Sequence, residues 1–204
     1  MSVRVKICGV TRPEDAQAAA SLGADMVGLN FYPRSRRFVD QAVAREIADA
    51  LPDEVWAVGV FVNARREEIE GIRAAVGLSA VQFHGDEPPE LAADWPCPVI
   101  RAFRLRTAGD ADRNLAQHSA DYFLCEGDAG GDYGGRGETF DWQWARPVPA
   151  DRLIVAGGLE PANVAGAVRS LRPFAVDVAS GVESSPGIKD FKKMQELIHN
   201  AKTA

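Results

Sequence analysis

Eight short apolar runs, separated by stretches of helical period at roughly 25 residues per unit, predict an α/β chain folded as a single-domain (β/α)8 TIM barrel over residues 1–204. Three observations carry that expectation. The runs are nearly continuous in valine, isoleucine, leucine and phenylalanine, as in parallel strands covered on both faces. Most of the gaps between them contain a helix-start signal. The composition, 46% hydrophobic and 25% charged over 204 residues, is that of a globular protein able to bury a sizeable core. A doubly wound open sheet is the alternative arrangement of the same elements.

Taken in order, VRVKIC (3–8) is the first strand. Thr11 and Glu14 follow at capping-box spacing, Pro13 occupies a permitted first turn, and Gly23 stops the alanine-rich helix. DMVGLNF (25–31) is the second strand, and YPRSRRFV (32–39) leaves it as a basic loop. VWAVGVFV (55–62) is the third; Asn63 is placed to cap a helix presenting Ile69, Ile72 and Val76 on one face. AVQF (80–83) is the fourth, and the helix expected around 87–94 is compromised by Pro88 and Pro89. PVIRAF (98–103) and DYFLC (121–125) come next, the latter followed by a glycine-rich stretch at 127–136 with no helical period, a length of loop that in compact domains usually serves function. After RLIVA (152–156), Pro161 opens a helix carrying Val164, Val168 and Leu171. FAVDVA (174–179) is the eighth strand. Beyond it Ile188, Phe191, Met194, Leu197 and Ile198 form an apolar helical stripe for the core, with Lys189, Asp190, Lys192 and Glu196 off it.

The formal charge of −6 argues against a general nucleic-acid binder, and any anionic ligand must be captured by local donors against the mean field. No apolar run approaches the roughly 20 residues that span a bilayer, and the N-terminus lacks a signal-peptide core, so a cytoplasmic location is expected. Cys8, Cys97 and Cys125 are odd in number and lack metal-ligand spacing; they are expected to be free thiols, with no metal site.

In a barrel of this class chemistry sits at the C-terminal ends of strands. Cys8 ends the first strand beside a helix start, where a thiol pKa can be lowered, and Lys6 shares its strand face. Glu126 and Asp128 follow the sixth strand, so a thiol and a carboxyl from different strands form a candidate acid/base pair. IVAGGL (154–159) and VASGVE (178–183) end the last two strands in small residues, where barrels commonly bind phosphate on main-chain N–H groups; Gly134, Gly135 and Gly137 can add to that side. Arg34, Arg36 and Arg37 offer a guanidinium fork for a carboxylate. Gln82 and His84 can reach the pocket from the fourth strand, His118 and His199 are expected at the surface, and Asp177 needs partners inside an apolar strand.

This set of motifs resembles the phosphoribosylanthranilate isomerases of tryptophan biosynthesis. The likeness runs in order through KICGVTRPEDA (6–16), GLNFYPRSRRFV (28–39), VGVFVN (58–63), QFHGDE (82–87), GGRGETFDW (134–142), VAGGLEPANV (155–164) and PFAVDVASGVESSPGIKD (173–190). The resemblance implies a cofactor-independent and metal-independent aldose–ketose isomerase, monomeric or homodimeric, that carries out the Amadori rearrangement of N-(5′-phosphoribosyl)anthranilate to 1-(2-carboxyphenylamino)-1-deoxyribulose 5-phosphate. It implies Cys8 as general base, a carboxyl group after the sixth strand as general acid, and Arg37 on the anthranilate carboxylate. Gly157, Gly158, Ser180 and Gly181 match its phosphate loops, and Asp177 a pocket aspartate. Where the family has leucine, leucine and aspartate, this chain has Leu124, Cys125 and Glu126, leaving Glu126 and Asp128 both open as the acid. Arg36 stands in place of the family's usual proline and Arg136 in place of its usual threonine. A related phosphosugar isomerase, including the aminoaldose isomerase of histidine biosynthesis, and a sugar-phosphate-binding protein without turnover are the competing readings.

Overall fold

The computed structural model describes residues 2–128 and 140–204. Eight parallel strands close into a barrel in sequence order: β1 (Arg4–Cys8), β2 (Met26–Asn30), β3 (Trp56–Phe61), β4 (Ala80–Phe83), β5 (Val99–Leu105), β6 (Tyr122–Gly127), β7 (Leu153–Val155) and β8 (Ala175–Val178), with β8 pairing back onto β1. Each matches an apolar run expected from the sequence, with ends shifted by at most two residues. Alternation along the strands sorts the side chains into two cores. Met26, Val58, Ala80, Ile100, Leu124, Ile154 and Ala175 fill the barrel, while the other face packs a larger cluster under the helices. At the N-terminal end of the barrel Arg4 lies over Trp56 and Phe174, and Tyr122 stacks on Phe174 with centroids 4.2 Å apart, a cation–aromatic plug that seals the core.

The crossovers are α1 (Pro13–Ser21), α2 (Gln41–Asp49), α3 (Arg66–Val76), α4 (Asp110–Gln117), α5 (Val164–Leu171) and the final α6 (Phe191–Lys202). Their starts differ from the sequence expectations for local reasons. Thr11 caps nothing: its hydroxyl donates to the Gly187 carbonyl at 2.6 Å, and Arg12 takes the N-cap position of α1 without a side-chain bond. Asn63 adopts φ 54° and accepts from the Asp86 amide at 2.8 Å, so it ties two loops together and α3 begins three residues later. Pro161 likewise precedes a turn; Asn163 bridges Gly158 and Glu160 before α5 starts at Val164. The expected helix at 87–94 is only a 3-10 turn, Pro89–Ala92, because proline supplies no N–H to the ladder.

The end of the chain departs further. Ile188 and Lys189 are not helical; they form β10 (Ile188–Lys189), antiparallel to β9 (Glu183–Ser185), in a hairpin that lies over the C-terminal end of the barrel. Lys189 is therefore buried rather than solvated, and Phe191, expected in the core stripe, is half exposed at the first turn of α6. Met194, Leu197 and Ile198 pack inward as expected.

Candidate active site

The C-terminal mouth of the barrel gathers three polar clusters, each built on strand ends. On β1, Lys6 and Cys8 occupy consecutive inward-facing positions. Lys6 is fully buried, not a barrel-end lysine in water: its ammonium donates to Asp177 Oδ1 of the neighbouring β8 at 2.8 Å and interacts electrostatically with the Cys8 sulfur. Burial disfavours that charge, yet Asp177 and Cys8 outweigh it and the Lys6 pKa rises. Cys8 is partly exposed at the rim. Its pKa is raised, not lowered as its position beside a helix start suggested. Desolvation pushes it up, the Asp177 carboxylate adds to that, and the Lys6 and Lys189 ammonium groups pull back without cancelling.

Room for the sulfur comes from Gly28, which faces Cys8 in the β1–β2 register. A methyl group there would sit 2.7 Å from Cys8 Sγ and 3.1 Å from Lys6 Nζ. Sequence reading missed this residue's role, because a glycine inside an apolar run gives no sign of what it faces.

Across the mouth, three strands from β1 by way of β8 and β7, lies the second cluster. His84, just past β4, joins Gln82 through Nδ1 at 2.9 Å and Glu126 of β6 through Nε2 at 2.8 Å, spanning β5, which contributes the small Ala102 to the interior. Burial opposes protonation of the imidazole, but the Glu126 carboxylate more than offsets it and the His84 pKa is raised. A protonated His84 donates from both nitrogens, and Gln82, whose buried Oε1 lacks a partner among the described residues, can accept from Nδ1 by turning its amide over. Asp128 is held elsewhere: it pairs with Arg106 beyond β5. Of the two candidate carboxyl groups, Glu126 is the one joined to His84 and, through it, to Gln82.

The third cluster surrounds Arg37. Arg34 and Arg36 are exposed, and Arg34 lies over the Tyr32 ring, so of the three arginines only Arg37 turns inward. Its fork is not vacant as the sequence suggested. Nε and Nη2 donate to the two oxygens of Glu183 at 2.7 and 2.8 Å, which leaves Nη1 and the second Nη2 hydrogen for a ligand. Glu183 and Lys189 were not singled out from sequence as site residues; the hairpin that brings them here is a tertiary feature.

The loops after β7 and β8 meet beside these clusters. Gly157 and Gly158 both take the left-handed conformation, with φ 79° and 62°, which turns successive main-chain groups toward one side. Ser180 opens a 3-10 turn, and Gly181 packs so closely on the Leu159 carbonyl that any side chain at 181 would collide with it. Gly135, expected to add to this side, lies outside the described residues, as do Gly134 and Gly137. Among the described residues no cluster of three or more histidine, cysteine or acidic side chains is arranged to hold a metal, and no helix is long and apolar enough to cross a membrane.

Comparison with known proteins agrees with this architecture. The family model for N-(5′-phosphoribosyl)anthranilate isomerase matches residues 5–200. The chain is 47% identical over 208 residues to the N-(5′-phosphoribosyl)anthranilate isomerase of Myxococcus xanthus, covering 100% of this chain and 98% of that one. Among solved structures it is similar to the phosphoribosyl anthranilate isomerase of Thermotoga maritima, with a TM-score of 0.89, 44% identity and 99% and 100% of the two chains covered. A phosphoribosyl anthranilate isomerase in complex with reduced 1-(o-carboxyphenylamino)-1-deoxyribulose 5-phosphate superposes with a TM-score of 0.85 at 42% identity, covering 99% and 100%.

Proposed function

Because the chain belongs to the N-(5′-phosphoribosyl)anthranilate isomerase family, we propose that it performs that family's Amadori rearrangement with Cys8 as base and Glu126 as acid. The observation that carries the assignment of roles is the placement of a thiol at the end of β1 and a carboxyl at the end of β6, on opposite sides of one barrel mouth. Two groups so placed serve opposite sides of a sugar, and acid–base help of this kind is worth roughly 10² to 10⁴ in rate for each group.

In this mechanism Glu126 protonates the furanose ring oxygen, and C1′–O4′ cleavage gives an open-chain iminium. Cys8 as thiolate then removes the C2′ proton to form the enolamine, which tautomerises to the ketone. The thiol of the free enzyme resists ionisation, and a cationic iminium beside it favours the thiolate in addition to Lys6 and Lys189. Lys6 holds Asp177 toward the substrate's middle, His84 carries the proton that reloads Glu126, and Gln82 orients His84. Arg37 takes the anthranilate carboxylate on the free end of its guanidinium. The Gly157–Gly158 and Ser180–Gly181 loops bind the phosphate. Gripping both ends of a long anion positions its reactive centre by remote contacts. The reading assigns all of this to one barrel domain, residues 1–204, without cofactor or metal, acting in the cytoplasm as a monomer or homodimer.

The test follows the loss of substrate fluorescence on conversion. Purified protein is expected to turn over phosphoribosylanthranilate, and Cys8→Ala to retain the fold while losing most turnover. Absence of turnover above background refutes the activity, and wild-type turnover by Cys8→Ala refutes the base.

A further inference from the structure

Glu183 is enclosed on three sides. Arg37 donates to both of its oxygens at 2.7 and 2.8 Å, Lys189 Nζ donates to Oε1 at 3.0 Å, and the Gly187 amide reaches the same oxygen at 3.2 Å. The side chains of Glu183 and Lys189 are 6% and 0% exposed, and that of Arg37 is 14% exposed. Two cations around one carboxylate leave a local charge of +1 at the mouth of a chain whose formal charge is −6. Lys189 also donates to the carbonyls of Cys8 at 2.6 Å and Ala179 at 3.1 Å, and the Arg37 stem lies against Gly9, where any Cβ would strike it. The same few atoms therefore tie the end of β1, the loop after β2 and the hairpin after β8 together.

A long arginine side chain loses much rotamer freedom when it is fixed, so an arginine already fixed by a buried partner binds an anion without that loss. We propose that Glu183 is a positioning residue that presets Arg37 for the substrate's carboxylate, and that Lys189 locks this grip to the main chain of Cys8. The inference rests on the assignment of Arg37 to that carboxylate. Glu183 touches no reacting atom. It holds the Nε edge of the guanidinium so that the opposite end faces the ligand in one orientation. The charge left over suits a single carboxylate, so the cluster selects a substrate carrying a carboxylate at this end.

The experiment measures binding of two probes by calorimetry: reduced 1-(o-carboxyphenylamino)-1-deoxyribulose 5-phosphate and the same compound without its carboxyl group. The intact protein is expected to prefer the carboxylated probe by about 10- to 100-fold, the worth of one charge-assisted pair. Arg37→Ala should abolish that preference. Glu183→Gln should reduce it at least fivefold while leaving affinity for the carboxyl-free probe within twofold, and should add nothing in an Arg37→Ala background. Glu183→Asp keeps the charge and shortens the reach, and it should lose the preference in the same direction, which covers the case in which the glutamine variant fails to fold. If either Glu183 variant folds and keeps the full preference, the positioning role is overturned. A merely structural role would weaken both probes alike. Should the intact protein show no preference at all, the assignment of Arg37 fails and the Glu183 inference with it, whereas failure confined to the Glu183 variants leaves that assignment standing.

Discussion

Adding one methyl group at Gly28 tests the placement of the base without touching the base itself. The Cβ of Gly28→Ala would stand 2.7 Å from Cys8 Sγ, 3.1 Å from Lys6 Nζ and 3.1 Å from Cys8 Cα. Ordinary contacts lie near 3.5–4.0 Å, so the sulfur is overlapped by roughly 1 Å and must rotate away or move with its strand. Rotation can move Sγ, but Cys8 Cα is backbone and Lys6 Nζ is held by Asp177, so the strand must also give by a few tenths of an ångström, and the cost in stability is expected at about 1–3 kcal/mol. Turnover should suffer more: a misplacement of about 1 Å at a reacting group costs on the order of 10² in rate. Steady-state fluorescence kinetics and a denaturant melt of the same preparation separate the two effects. The expected result is a folded protein with kcat lowered about a hundredfold and binding of the carboxylated product analogue retained. A Gly28→Ala enzyme with kcat within threefold of the parent would show that Cys8 Sγ does not work from the position described, and the reasoning from register to mechanism would fall.

Glu126→Gln should abolish most turnover while Asp128→Asn leaves the larger part of it, since only Glu126 is joined to His84; the opposite ranking would transfer the acid to Asp128. Lys6→Met removes the cation from a buried pair and leaves the Asp177 carboxylate uncompensated, so urea melts should show a loss of about 3–5 kcal/mol, and a loss under 1 kcal/mol would refute the pairing. The raised His84 pKa means that the folded state binds a proton more tightly than the unfolded chain. Its stabilisation is complete below the ordinary histidine value of 6.5 and is lost as pH rises through the higher folded value. His118, whose pKa burial lowers, contributes the opposite sign, so the His84 share is read as a difference: between pH 6 and about 8, below the range where the thiols titrate, melts of the parent should lose stability with rising pH relative to His84→Asn, and parallel profiles would refute the pairing. Glu87→Ala would strand the buried guanidinium of Arg101 and should destabilise by about 3–5 kcal/mol without altering KM, as chemical denaturation and kinetics would show.

The strands were legible in the sequence because burial on both faces leaves a run of apolar residues that survives any local ambiguity, as at VRVKIC and AVQF. Helix starts were less so. Thr11 and Asn63 carry side chains that cap helices in isolation, but here loops from distant parts of the chain supply Gly187 and Asp86 as alternative partners. Ile188 and Lys189 fit the helical period of the residues after them and were still drawn into a hairpin, because the Lys189 ammonium finds Glu183 Oε1 and the carbonyls of Cys8 and Ala179 there.

By itself the sequence determined the periodicity of eight strands, the presence of a thiol, carboxyl groups and arginines just past strand ends, and the paired glycine loops. Those features depend on residues near one another in the chain. Only the closed barrel decided which of them meet. It set Gly28 against Cys8, joined Glu126 rather than Asp128 to His84, turned Arg37 inward onto Glu183, and partly buried the Cys8 thiol near Asp177, so that desolvation and that carboxylate raise its pKa against the pull of Lys6 and Lys189, where position along the chain had suggested the reverse. Charge interactions and excluded volume act over a few ångströms of space, and in a barrel those ångströms join residues from 20 positions apart, as Cys8 and Gly28, to 171, as Lys6 and Asp177.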